Sequence, residues 1–278
     1  MSAFVERGSK TLVYLFLAFG CLVCLTPFYW MFRSSLMTLD QIFVMPPIWF
    51  PSPIQLSNYH DALTMFPFHT YFLNTLTIVS LSVLGTVLTS SLCAYSFARL
   101  NWPGRDKMFA LILTSMMLPG AATLIPTFLG WRTVGAINTF IPLILPSWFG
   151  GGAFNIFLLR QFFKTIPKEL DEAALIDGAG LFRIYTSILL PLIKPALIVV
   201  ALFAFLHHWN DFLSPIIYLN SEKNYTLAIG LQQFKGQFNA QWNYMMAAST
   251  VVILPTVLVF LIGQKYFIEG ITLTGLKG

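Results

Sequence analysis

Charge is what this sequence has least of. Of its 278 residues, 16 are Lys or Arg and 11 are Asp or Glu, so only 10% of the chain is charged. Hydrophobic residues make up 56% and aromatic residues 16%, and the mean hydropathy is +0.73. A soluble domain of this length could not hide so much apolar surface in one core. Cysteine is also scarce. Cys21 and Cys24 have C-x-x-C spacing but lie inside one apolar run, and Cys93 lies inside another. With no His or acidic cluster beside them, they read as small buried apolar residues and not as a redox or metal site. The four histidines exclude a metal centre in the same way. His207 and His208 are adjacent, and neighbouring helical residues point roughly 100° apart, so they share no ligand direction. A structural or pore-lining role fits them better, and His60 and His69 fall outside the membrane or at its edge. The chain contains no G-x-x-x-x-G-K-[ST] segment, hence no backbone cradle for nucleotide phosphates. No cofactor and no metal is expected on it.

What is present is a series of charge-poor runs, each long enough to cross ~30 Å of hydrocarbon as a helix. Six spans are predicted, at about 11–32, 71–98, 108–129, 136–159, 195–219 and 245–268. The fold class is therefore all-α integral membrane protein, a single transmembrane domain over 1–278. Pro119, Pro126, Pro142, Pro146, Pro215 and Pro255 fall within or at the ends of spans, which predicts kinks and broken helices shielded by neighbouring protein. The first run continues for 22 residues to Phe32 without a small-x-small cleavage site, so it reads as a retained helix and not a signal peptide. Trp30, Phe28, Tyr29, Trp49 and Phe50 fit an interfacial belt. Gly150, Gly151 and Gly152 in the fourth span lack a basic residue in phosphate-loop register, and fit close helix packing or a hinge.

Basic residues set the orientation. With both termini in the cytoplasm, twelve lie inside, including Arg99, Arg105 and Lys107 and the five of the fourth-to-fifth connection. Only Arg33, Arg132, Lys223 and Lys235 remain outside. The +5 net charge thus records topology, and no nucleic-acid partner is implied.

The cytoplasmic connection at about 160–191 is where charge collects. "PKELDEAALIDGAG" carries Lys168, Glu169, Asp171, Glu172 and Asp177. Pro167 suits the first turn of a helix, and the acidic residues after it suit the positive end of the dipole. Leu170, Ala173, Ala174 and Ile176 supply an apolar stripe, and Asp177-Gly178 is a turn pair whose glycine accepts positive φ. A second amphipathic piece, Leu181 to Leu190, ends before Pro191. Such a helix pair can seat in a groove of a protein partner or lie on lipid headgroups. The excess of carboxylates favours the partner.

This segment resembles the EAA motif of ABC-importer permeases: Glu172-Ala173-Ala174, then Asp177-Gly178-Ala179, with Pro191 and Pro195 beyond. "HHWNDFLSP", "LQQFKGQFNAQWNYMMAAS" and the closing "QKYFIEGITLTGLKG" are similar to the carbohydrate branch, in particular to the second permease subunit of maltose-type importers. The resemblance implies a type I ABC-importer fold with six helices, N-in and C-in. It implies that Glu172, Ala173, Ala174, Asp177, Gly178, Ala179 and Gly180 couple to an ATPase subunit, and that Lys277 and Gly278 add a C-terminal contact. It places Phe234, Lys235, Gly236, Gln237, Phe238 and Asn239 in a loop facing a solute-binding protein. The implied partners are a second permease chain, two ATP-binding subunits that hold ATP and Mg, an extracytoplasmic solute-binding protein, a carbohydrate substrate and the lipid bilayer. The implied location is a bacterial or archaeal plasma membrane.

Asp211 is the only charged residue within the fifth span, beside Trp209 and Asn210. A carboxylate, an amide and an indole make a sugar-facing set for a translocation path. Asp211 could equally cap a broken helix before Pro215 or pair with another chain. Two other classes are disfavoured. A secondary transporter shows more intramembrane ionisable residues and an internal repeat, and a membrane enzyme needs a convergent catalytic set. Neither pattern is present.

Overall fold

Hydrocarbon leaves a backbone no partner but itself, so each charge-free run becomes a helix. In a computed structural model of the chain, residues 2–236 and 240–275 are described, with side chains over 10–236 and 240–266. The helices are α1 (Ser2–Ser35), α2 (Ser57–Met65), α3 (Phe68–Arg99), α4 (Arg105–Ser115), α5 (Gly120–Thr133), α6 (Ala153–Thr165), α7 (Glu169–Ile176), α8 (Lys194–Trp209), α9 (Leu213–Tyr218), α10 (Leu227–Gln233) and α11 (Trp242–Gly275). Single-turn helices lie between some of these, and no strand occurs among the described residues. Four helical spans are long and apolar enough to cross a membrane, and two bent helix pairs bring the number to six.

Three of the predicted spans are not continuous. The third is α4 and α5, bent by 99°. Pro119 causes this: it has no N–H and drives the residue before it out of the helical region, and its own ψ of 132° is extended. The fourth span runs past 159 to Thr165 but is interrupted between Trp148 and Ala153, where Gly150, Gly151 and Gly152 hold φ of +87°, +62° and +93°. The fifth stops at Trp209 and resumes at Leu213. Breaks of this kind at membrane depth persist only where protein or a water-filled cavity shields the freed backbone groups.

The chain divides into two units. One comprises 1–68 and 230–254. Its polar centre is Asn58, whose Nδ2 donates to Ser35 O (2.9 Å) and Met37 O (2.8 Å) and whose Oδ1 accepts from Asn243 Nδ2 at 3.2 Å. Arg33 lies over the Trp30 ring, 3.8 Å from its centroid, and donates to Ile48 O. Along α1, Cys21 and Cys24 are exposed and not buried, since that stretch has an outward surface all round.

The other unit comprises 69–229 and 255–278. Its larger hydrophobic cluster gathers Tyr95, Phe97, Leu159, Phe163, Ile184, Leu189, Ala196 and Val200, with Ala174 of α7. Through it runs α3, 32 residues long and about 48 Å at 1.5 Å per residue. Thr75, Ser82, Thr86, Ser90 and Ser91 of α3 are all buried, so these five hydroxyls face protein, while Thr77 and Ser80 are exposed.

Candidate functional site

Three regions carry the sequence-predicted site residues. The first is the cytoplasmic connection. Lys168, not Pro167, caps α7, and Pro167 stands one residue outside. Glu169, Asp171 and Glu172 fill the first turn, where the helix dipole favours them. Asp177 closes the helix and Gly178 follows at φ +80°. Ala179 N then donates back to Ala174 O at 2.9 Å, and Gly178 N to Leu175 O at 3.0 Å, satisfying the last carbonyls.

Three expectations for this region need correction. Ala174 does not face outward: it is 7% exposed and packs into the chain's own core, because the side of α7 that carries it is the one turned toward that core. The connection is also shorter than 160–191 at its start, since 160–165 continue α6 and Arg160 is buried against the Phe109 ring. Nor does Pro191 end the second piece. It sits in the first turn of Leu190–Leu192, after a π-helical turn at Ile184–Leu189, and the 81° bend falls at Ile193. What α7 does present is an apolar tip with an acidic rim. Ile176 is 87% exposed and Leu175 52%, and Glu172, Ala173, Asp177, Gly178 and Gly180 are exposed while Ala179 is half-buried.

The connection is tied to α3 at its cytoplasmic end. Arg99 Nη2 donates to Ile166 O at 2.7 Å, and Nη1 lies 3.5 Å from Asp171 Oδ2. Burial pushes the Asp171 carboxyl above the usual carboxylate range, against the downward pull of Arg99. Tyr95 OH donates to Leu181 O at 3.1 Å, and Ser91 Oγ and Tyr185 OH are 2.7 Å apart.

The second region is where two helix interruptions meet. Ser147 Oγ, just before the glycine break, lies 3.2 Å from His208 Nε2, just before the end of α8. Here a cleft of about 380 Å³ opens, lined by Ser147, Asn155, His207 and His208, with Thr86 of α3 at its wall. Phe154 and Phe203 face each other edge-on across it, ring centroids 6.3 Å apart. The glycines are required. A Cβ on Gly151 would stand 2.6 Å from Thr86 O, so no side chain fits there, and none is favoured at that φ. Asn155 Nδ2 donates to Gly151 O at 2.7 Å and steadies the turn.

The path trio resolves differently from its prediction. Trp209 is 4% exposed, stacked on Phe205 and edge-on to Phe72, so its indole offers no open face. Asn210 is exposed and donates to Leu206 O at 2.9 Å. Asp211 Oδ1 accepts from Ser214 N at 3.1 Å and so closes the first turn of α9. Sequence reasoning misses Thr86, Ser147 and Asn155. The available signal is the Gly150–Gly152 break itself, with Asn155 the one amide in the apolar run after it.

In the third region, Phe234 is 2% exposed and packs on Phe66 and Phe68, with centroids at 5.2 and 5.7 Å. It belongs to the core, not to a contact surface. Lys235 and Gly236 are exposed. Gln237, Phe238, Asn239, Lys277 and Gly278 lie outside the described residues.

Comparison with known proteins gives this geometry its context. Residues 86–272 match the family "Binding-protein-dependent transport system inner membrane component". The sulfoquinovosyl glycerol transport system permease protein SmoH of Agrobacterium fabrum is 32% identical over 254 residues, covering 91% of this chain and 89% of that protein. The trehalose/maltose transport system permease protein MalG of Thermococcus litoralis is 33% identical over 265 residues, covering 92% and 93%. Among solved structures, a chain of a bacterial ABC transporter involved in import of the acidic polysaccharide alginate superposes with a TM-score of 0.83. It is 24% identical, with 94% of this chain and 97% of that chain covered.

Proposed function

The chain belongs to the family of binding-protein-dependent transport system inner membrane components, and from that premise we propose that it carries an uncharged sugar past the cleft at Ser147 and His208. It is a multi-pass membrane permease subunit of an ABC importer and not an enzyme; ATP is hydrolysed on a separate subunit. Its relatives include permeases for trehalose/maltose and for sulfoquinovosyl glycerol, so the cleft chemistry has to decide the class. One observation carries the reading. The cleft is lined by hydroxyl, amide, imidazole and phenyl groups, and by no Asp, Glu, Lys or Arg among the described residues. Such a set pairs with sugar hydroxyls and packs on a ring face. It offers an acidic sugar no charged partner.

The exposed tip of α7, with Glu172, Ala173, Asp177, Gly178, Ala179 and Gly180, is the surface that docks on one of two ATP-binding subunits, which hold ATP and Mg. A second permease chain completes the path, and an extracytoplasmic solute-binding protein delivers the sugar to the outer face of a bacterial or archaeal plasma membrane. The direct test is uptake by the complete complex in proteoliposomes with its binding protein, using labelled maltose and trehalose against labelled glycerol 3-phosphate and an oligouronide. Uptake of a neutral sugar, reduced in Asn155→Ala, is the expected result. Uptake of only the anionic compounds would overturn the assignment.

A further inference from the structure

Helix α3 touches both regions just described, and it does so on two different faces. Ser82 Oγ donates to Leu143 O at 3.3 Å and Thr89 Oγ1 to Ser147 O at 3.2 Å, with Thr86 against Gly151 between them. These residues follow i, i+4, i+7 spacing and so form one stripe. Ser91, Tyr95 and Arg99 are spaced by four and form a second stripe, bonded to Tyr185, Leu181 and the Ile166–Asp171 segment. At 100° per residue the centres of the two stripes are separated by more than 120° around the helix. The glycine break is held on one side of α3 and the cytoplasmic connection on another.

The joint at the cytoplasmic end is incompletely made. A bidentate guanidinium–carboxylate pair has two contacts of about 2.7–2.9 Å. Arg99 and Asp171 make one, at 3.5 Å, and both Arg99 Nε and Asp171 Oδ1 are buried without a hydrogen-bond partner. Displacement between distant sites is carried by packed and hydrogen-bonded contacts joined by a rigid element.

We propose that α3 is the strut that transmits movement of the α7 connection to the Gly150–Gly152 break, with Arg99 and Asp171 as the positioning pair at its cytoplasmic end. The inference rests on the reading of α7 as the ATPase-docking surface. The seat of α7 is thereby coupled to the width of the cleft through hydrogen bonds on both faces of one helix. Neither Arg99 nor Asp171 need touch the ATPase or the sugar.

The test uses the complete complex in proteoliposomes, with Cys21, Cys24 and Cys93 replaced by alanine. Phe154→Cys reports on the cleft through its rate of maleimide labelling, with and without ATP on a hydrolysis-blocked ATPase subunit. Ala173→Cys, crosslinked to the ATPase subunit, reports separately on docking. In the parent, ATP should change the labelling rate. Arg99→Gln and Asp171→Asn should each shrink that change by roughly 5-fold or more, with the crosslink retained, and the double variant should be no worse than either. If the singles do not assemble, Ser91→Ala and Tyr185→Phe, which keep the packing but remove the hydroxyl bond, should show the same non-additive loss. An ATP response that survives in all four variants refutes the strut, as do strictly additive losses or a simultaneous loss of the Ala173 crosslink. A parent that never crosslinks through Ala173→Cys refutes the docking reading instead.

Discussion

The cytoplasmic connection and the intramembrane cleft are built on opposite plans. The first is a contiguous, charged, exposed segment whose helix starts, stops and turn are all local: acidic residues in the first turn of α7, Asp177 at its end, Gly178 at φ +80°. The second is uncharged and assembled from α3, the glycine break, α6 and α8, residues as far apart as Thr86 and His208. On the proposed reading, a surface for a water-soluble partner stays hydrated and its residues gather in one loop, whereas a surface for a small solute is enclosed, and enclosure needs several helices.

The sharpest way to probe that contrast is to compare two glycines that share a positive φ. Gly151→Ala should have the largest effect. The backbone conformation alone disfavours a side chain by roughly 1–3 kcal/mol, and the new Cβ would stand 2.6 Å from Thr86 O, a backbone atom that cannot rotate away. Uptake should fall to background and the thermal midpoint of the complex should drop. An unchanged midpoint would mean the break is not packed as described. Next comes Glu172→Lys, where the site is exposed. Stability should be unchanged while ATP hydrolysis and uptake become uncoupled, measured as sugar imported per phosphate released. Normal stoichiometry would argue that α7 is not the docking element.

Gly178→Asp should be milder in stability than Gly151→Ala. Its φ is +80°, but a Cβ added there would meet nothing within 4 Å. Only conformational strain of about 1 kcal/mol then applies. The complex should fold and lose coupling. A thermal midpoint falling as far as in Gly151→Ala would erase the distinction between the two regions.

The smallest effect concerns Asp171. Its carboxyl is raised above its ordinary 3.8 chiefly by burial, with Arg99 opposing. The folded state therefore holds that proton more tightly than the unfolded chain. The resulting stability is full below pH 3.8 and is lost as pH rises through the raised value. Asp171→Asn removes this dependence. The difference in thermal midpoint, variant minus parent, should become more positive as pH increases from about 4 to about 7. A difference that is flat across the range would show that burial does not govern this group.

How far each region can be read from the sequence follows from the same contrast. The six apolar runs and the acid-rich helix before Gly178 are properties of neighbouring residues, and both are legible. Ala174 is misplaced by the sequence alone because the inward face of α7 depends on Ile184 and Phe163 from elsewhere in the chain. Trp209 is misplaced for the same reason: an indole looks available for a sugar until Phe72 and Phe205 are seen to cover it. Asp211 accepts from Ser214 N in a local turn just before α9, whose N-cap is Phe212.

By itself, then, the sequence determined that the chain crosses the membrane repeatedly, where its basic residues collect, and which connection carries an acid-rich helix closed by a glycine. These follow from transfer free energies and helix-end chemistry that act over a few residues at a time. Only the tertiary structure decided that the Gly150–Gly152 break meets the end of α8 at Ser147 and His208, and that α3 contacts both this cleft and the α7 connection. Those facts depend on which helices pack together. Hydropathy cannot specify that inside a bilayer, because lipid tails are as apolar as leucine and only close packing and buried hydrogen bonds select one neighbour over another.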